Sequence, residues 1–72
     1  MKKVFCLEDL DCAHCAQKIE DAIGRIDGVE SAAVSFFALK LTICAPEEKF
    51  PEIMKKAVKV CRRIEPACRI VL

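Results

Sequence analysis

Residues 2–28, KKVFCLEDLDCAHCAQKIEDAIGRIDG, place an apolar run, a pair of cysteines and a helix-forming stretch in immediate succession. Lys2–Glu8 is rich in β-branched and aromatic residues and has no Gly or Pro, which predicts a strand. Beyond the cysteines, apolar residues recur at helical spacing over residues 13–26. Gly28 then favours the left-handed conformation that ends many helices. The stretch therefore predicts a strand, a loop with two thiols, and a helix.

The rest of the chain predicts a hairpin, a second helix and a last strand. Residues 29–35 and 38–44 have the pattern of two strands joined by a tight turn. Pro66 interrupts the chain before a short apolar strand at residues 68–72. The second helix has an apolar stripe made of Phe50, Ile53, Met54, Ala57, Val58 and Cys61. The order β-α-β-β-α-β predicts one α+β domain over residues 1–72. Its fold is a ferredoxin-like sandwich, an antiparallel four-stranded sheet with two helices on one face.

Composition narrows the class of protein. An apolar share of 54% can supply one packed core in 72 residues. No apolar run approaches the ~20 residues that span a membrane, and no signal peptide is evident, so we expect a cytoplasmic monomer. A net charge of +1 and the lack of Tyr and Trp argue against nucleic-acid binding. In a reducing compartment, six cysteines indicate metal binding or thiol chemistry rather than a disulfide framework.

Cys12 and Cys15 have a spacing that brings two sulfurs together at the start of a helix. The helix N-terminus stabilises thiolates, which are the form that binds metal. Two sulfurs leave an ion such as Zn²⁺ short of its usual four ligands. Asp11 is the natural third ligand for a divalent cation, although Asp is also a preferred helix N-cap, and the residues alone leave these two roles open.

The remaining candidates for metal chemistry fit better with other roles. His14 is expected to point outward from the first helical turn. The other four cysteines, Cys6, Cys44, Cys61 and Cys68, have no local partners and are expected to pack as small apolar residues. Cys6 and Cys44 are expected to face outward on the sheet, where a second site or a disulfide between them stays open.

The stretch Leu10-Asp11-Cys12-Ala13-His14-Cys15-Ala16, with Ile19-Glu20 and Asp27-Gly28-Val29, resembles the heavy-metal-associated domain. That family includes small copper chaperones and the N-terminal modules of heavy-metal P-type ATPases. Members often have Gly-Met-Thr before the first Cys, where this chain has Asp9-Leu10-Asp11.

This resemblance implies a ligand set, a cargo and a partner. An Asp before the Cys pair is similar to the modules of zinc-, cadmium- and lead-exporting ATPases, which implies Cys12, Cys15 and Asp11 as metal ligands. Leu10 takes the place of a Met that props the metal loop from below. Ile64 falls near a loop that lies beside the metal site. The implied function is non-catalytic binding of Zn²⁺ or Cd²⁺, with transfer to, or regulation of, a heavy-metal-exporting P-type ATPase.

Three other functions compete with this one. A copper(I) chaperone or copper-ATPase module would use the same two thiols. A thiol–disulfide oxidoreductase fits less well, because the chain is short for that fold and the strand order differs. A bare interaction module is the third, since the second helix carries the basic residues Lys55, Lys56, Lys59, Arg62 and Arg63, a pattern that is also typical of a solvated face.

Overall fold

The computed structural model describes residues 1–71 and contains the predicted elements in the predicted order. Its elements are β1 (Lys2–Glu8), α1 (Ala13–Gly24), β2 (Ser31–Ser35), β3 (Lys40–Cys44), a 3₁₀ turn (Glu47–Lys49), α2 (Phe50–Ile64) and β4 (Arg69–Val71). The sheet has the order β2-β3-β1-β4, and every neighbouring pair is antiparallel. The α+β, ferredoxin-like architecture is therefore confirmed.

One face of the sheet forms the core together with both helices. The predicted alternation in β3 is confirmed, because Leu41 and Ile43 are fully buried. Val4 and Cys6 of β1 lie on the opposite, exposed face. The helices contribute Ala16, Ile19 and Ile23 from α1 and Phe50, Ile53, Met54, Ala57 and Cys61 from α2. Among residues 1–71, neither helix has the length and apolar character that crossing a bilayer requires.

The boundaries differ from the sequence prediction at three places. Helix α1 ends at Gly24 rather than near residue 26, because the N–H of Arg25 bonds to the carbonyls of Ala22 and Ile23 and closes the last turn. Gly28 has the expected positive φ, 96°, but it lies in the turn toward β2 and does not cap the helix. Strands β2 and β3 each begin two residues later than predicted.

The predicted last strand, residues 68–72, is present as Arg69–Val71. Leu72 lies outside the described residues. Cys68, at the start of the prediction, precedes the strand and is fully buried beneath it.

Substituting the two glycines with Ala should change stability in opposite directions. Gly24→Ala should raise the free energy of unfolding by about 0.5 kcal/mol, because Gly disfavours helices and a Cβ there meets nothing within 4 Å. Gly28→Ala should lower it by about 1–2 kcal/mol, since its φ is left-handed and a Cβ would lie 2.9 Å from Cδ of Lys49. Urea unfolding of the two variants checks this, and equal stability of both would contradict it.

Candidate metal site

The loop between β1 and α1 holds the cysteine pair against the core. Leu10 is 5% exposed and packs into the hydrophobic core, so it anchors the loop from below as the resemblance implied. Asp9 has a φ of 59°, in the left-handed region that Asp tolerates better than most residues. This turn explains why a Gly suits the position in related sequences. The loop thus reverses between the end of β1 and the start of α1.

Cys12 is the N-cap of α1, and Cys15 lies in the first helical turn. The backbone of Cys12 is extended, with φ −127° and ψ 114°, and its Sγ accepts a hydrogen bond from the N–H of Cys15 at 3.3 Å. The carbonyl of Cys12 accepts the N–H of Ala16 at 3.0 Å. Of the two roles that the sequence left open for Asp11, the helix cap is wrong, because Cys12 occupies that position.

The pKa values of the two thiols at the start of α1 shift in opposite directions. Hydrogen bonds to its sulfur from the side chain and the backbone N–H of Cys15 lower the pKa of Cys12. The hydrogen bond to Cys12, followed by desolvation and by the nearby charges of Cys12 and Glu65, raises the pKa of Cys15 to about 11. Cys12 is therefore the first of the two thiols to ionise as the pH rises.

Glu65 is a site residue that the sequence reasoning missed. The Cys15 thiol donates a hydrogen bond to Oε2 of Glu65 at 3.7 Å, and Oε1 accepts the N–H of Ala67 at 3.3 Å. Fifty residues separate Glu65 from Cys15, so no local spacing reveals the contact. The signal that could have revealed the contact is the strand order of the sheet. Because β4 pairs with β1, the loop after α2 lies beside the loop after β1.

A third ligand is not preassembled with the two thiols. Asp11 and His14 are both exposed, as expected for His14. Within residues 1–71, no three side chains of His, Cys, Asp or Glu are grouped closely enough to hold a metal ion. The role of Asp11 as a ligand stays a prediction.

The cysteines on the sheet are too far apart to pair with each other. Cys6 lies opposite Lys40, whose Nζ is 3.2 Å from its sulfur, and Cys44 lies opposite Lys2. The register therefore places the two thiols at different ends of β1, about 13 Å apart at the rise of a strand. A disulfide needs Cα atoms within about 7 Å, so the open possibility of a Cys6–Cys44 bond or shared site is wrong. Cys61 and Cys68 are buried, as packing predicts.

A small domain that presents two thiols at a helix N-terminus, with carboxylates at its margin, defines the class of soft-metal-binding modules. Residues 4–65 match the family model described as the heavy-metal-associated domain. The chain therefore belongs to the heavy-metal-associated domain family, whose members are metal-binding modules or chaperones rather than catalysts.

Relatives of both kinds, transporter and chaperone, resemble the chain. A "Cadmium, zinc and cobalt-transporting ATPase" of Bacillus subtilis is 35% identical over 92% of this chain and 9% of the ATPase. The "Copper chaperone CopZ" of Enterococcus hirae is 34% identical over 89% of this chain and 86% of the chaperone. The solved structure of a "CopZ metallochaperone" superposes with a TM-score of 0.76 at 21% identity, covering 99% of this chain and all of that one, which shows the shared fold.

The two cysteines should differ in their rate of alkylation. At pH 7 the lowered pKa of Cys12 gives it the larger thiolate fraction, so iodoacetamide should modify Cys12 several-fold faster than Cys15. Peptide mapping by mass spectrometry at successive times measures both rates, with buried Cys61 as the slow internal reference. A faster reaction at Cys15 would contradict the assigned polarity.

Proposed function

We propose that this chain captures one divalent soft or borderline cation, Zn²⁺ or Cd²⁺, through Cys12, Cys15 and a carboxylate. The observation that carries this proposal is the carboxylate of Glu65, whose Oε2 lies 3.7 Å from Sγ of Cys15. Asp11 is the second candidate carboxylate, because it is next to Cys12 in the chain. The module is non-catalytic, and its task is to hold the cation and release it to a partner.

The donor types favour a divalent cation over copper(I). Two thiolates neutralise M²⁺, and Zn²⁺ then completes its usual four positions with oxygen ligands. Copper(I) prefers sulfur alone and gains nothing from a carboxylate. The proposed ligands are therefore Cys12, Cys15 and Asp11 as the sequence predicted, with Glu65 as the alternative third donor that the structure adds.

The exposed position of the loop suits transfer to another protein. Cys12 and Cys15 are both part-exposed at one end of the molecule, and two sulfurs leave coordination positions open. A partner's ligands can enter these positions before the cysteines leave, so the cation never has to be free. The relative named as a cadmium, zinc and cobalt-transporting ATPase supports a heavy-metal-exporting P-type ATPase as partner, in the same or a separate chain, on the cytoplasmic side.

Copper(I) is the second candidate cargo, for a specific reason. The two thiols are the donors already brought together, and a two-coordinate cation needs no third ligand. The likeness to the copper chaperone, which covers 86% of that protein, favours the same alternative. In that case the chain would be a copper chaperone or the module of a copper-exporting ATPase, and the carboxylates would have no part in binding.

Variants that neutralise each carboxylate distinguish a divalent cargo from copper(I). We expect Glu65→Gln or Asp11→Asn, whichever removes the actual third ligand, to weaken Zn²⁺ binding by about 10–100-fold, and the double variant to weaken it at least as much. Copper(I) affinity should change by less than about 3-fold, because sulfur alone holds that ion. Competition titrations with a chromophoric chelator for each metal give the affinities, and exposed Glu52→Gln on α2 is the matched control.

The pattern across the variants decides the outcome. A loss confined to Glu65→Gln would move the third ligand from Asp11 to Glu65 and keep the divalent proposal. A loss confined to Asp11→Asn would support the original ligand set. Unchanged Zn²⁺ affinity in the double variant would overturn the divalent proposal in favour of copper(I).

A further inference from the structure

A second pair of thiols lies apart from the loop site. Cys61 is in the last turn of α2 and Cys68 immediately precedes β4. Their exposed fractions are 1% and 0%, and the Cys61 thiol donates a hydrogen bond to the carbonyl of Cys68 at 3.7 Å. Both side chains line a cavity of about 120 Å³ between α2 and β4.

The cavity wall combines sulfur with aliphatic and cationic groups. Besides the two cysteines, it is lined by Val58, Ile70, Arg62 and Arg69. None of these lining side chains offers an oxygen or imidazole ligand. Arg69 forms a salt bridge with Glu8, in which Nη2 lies 3.3 Å from Oε1. Arg62 contributes a positive charge to the wall.

We propose that Cys61 and Cys68 form a second metal site, selective for copper(I). Copper(I) can be coordinated by two thiolates alone, and the cavity supplies two thiols and no other ligand. Zn²⁺ and Cd²⁺ need further ligands that the wall does not supply. On binding, both thiols lose their protons to solvent, two Cu–S bonds form, and the metal keeps its oxidation state. The resulting single negative charge is offset by the guanidinium of Arg62.

Burial raises the pKa of both thiols in this pair. Desolvation, together with a hydrogen bond to Cys61, raises the pKa of Cys68 to about 12.

Packing alone is the competing explanation, because free Cys also behaves as a small apolar residue. The two explanations differ in what a Val substitution does. A Val of similar size keeps the core filled under both, but it removes a copper(I) ligand only if the pair binds metal.

The test uses the full chain with the loop site removed by Cys12→Ala and Cys15→Ala. In this background, anaerobic titration with copper(I) against a chromophoric copper(I) chelator should show one bound equivalent. Adding Cys61→Val or Cys68→Val should weaken it by about 100-fold, since one thiolate cannot satisfy the ion. Adding Cys6→Val instead, at an exposed thiol, should leave it unchanged. Circular dichroism of each variant verifies that the chain is folded.

Two results would overturn the proposal. One is a folded Cys12→Ala/Cys15→Ala variant that retains no copper(I) against the chelator. The other is retention that persists after Cys61→Val and Cys68→Val are combined. A Zn²⁺ titration of the Cys61→Val single variant, which retains Cys12 and Cys15, checks the loop site by itself. Its Zn²⁺ affinity should equal that of wild type whether or not the second site exists.

Discussion

The structure depends on the position of β1 in the middle of the sheet. It pairs with β3 along Lys2 to Cys6 and with β4 along Cys6 to Glu8. Cys6 pairs on both sides, and Leu7 and Glu8 are held by β4, so the chain that follows starts from a fixed point. The loop with the two thiols begins there, and the loop with Glu65 is brought to the same end by β4. A site made of residues fifty positions apart is a consequence of that pairing.

The helix start then determines the chemistry of the two sulfurs. Cys12 takes the capping position that Ser, Thr, Asp or Asn usually occupies, so its sulfur receives the backbone N–H of Cys15. Hydrogen bonds from the side chain of Cys15 and from its backbone N–H lower the pKa of Cys12. Cys12 therefore ionises more readily than Cys15, whose thiol donates a hydrogen bond to Glu65. The fold and the affinity for soft metal have a common origin in this turn.

Local pattern predicted most of the fold but only part of the site. The strand Lys2–Glu8 matched to the residue, because its apolar residues alternate and a polar loop follows. The end of α1 differs from the prediction, which ended the helix at Asp27-Gly28, because the N–H of Arg25 donates to the carbonyls of Ala22 and Ile23 and closes the helix earlier. The position of Cys12 and Cys15 at the start of α1 was predicted from their spacing. Glu65 was not, because its place beside Cys15 depends on how β4 and β1 pair across the sheet.

The most direct test of the account is calorimetric titration of the reduced chain with Cd²⁺, comparing wild type with Cys12→Ser/Cys15→Ser. We predict that wild type binds one equivalent and releases protons, that the double variant loses this binding, and that Cys6→Ser/Cys44→Ser retains it. Equal Cd²⁺ binding by wild type and Cys12→Ser/Cys15→Ser would contradict the account, because the cation would then be held somewhere other than the helix start.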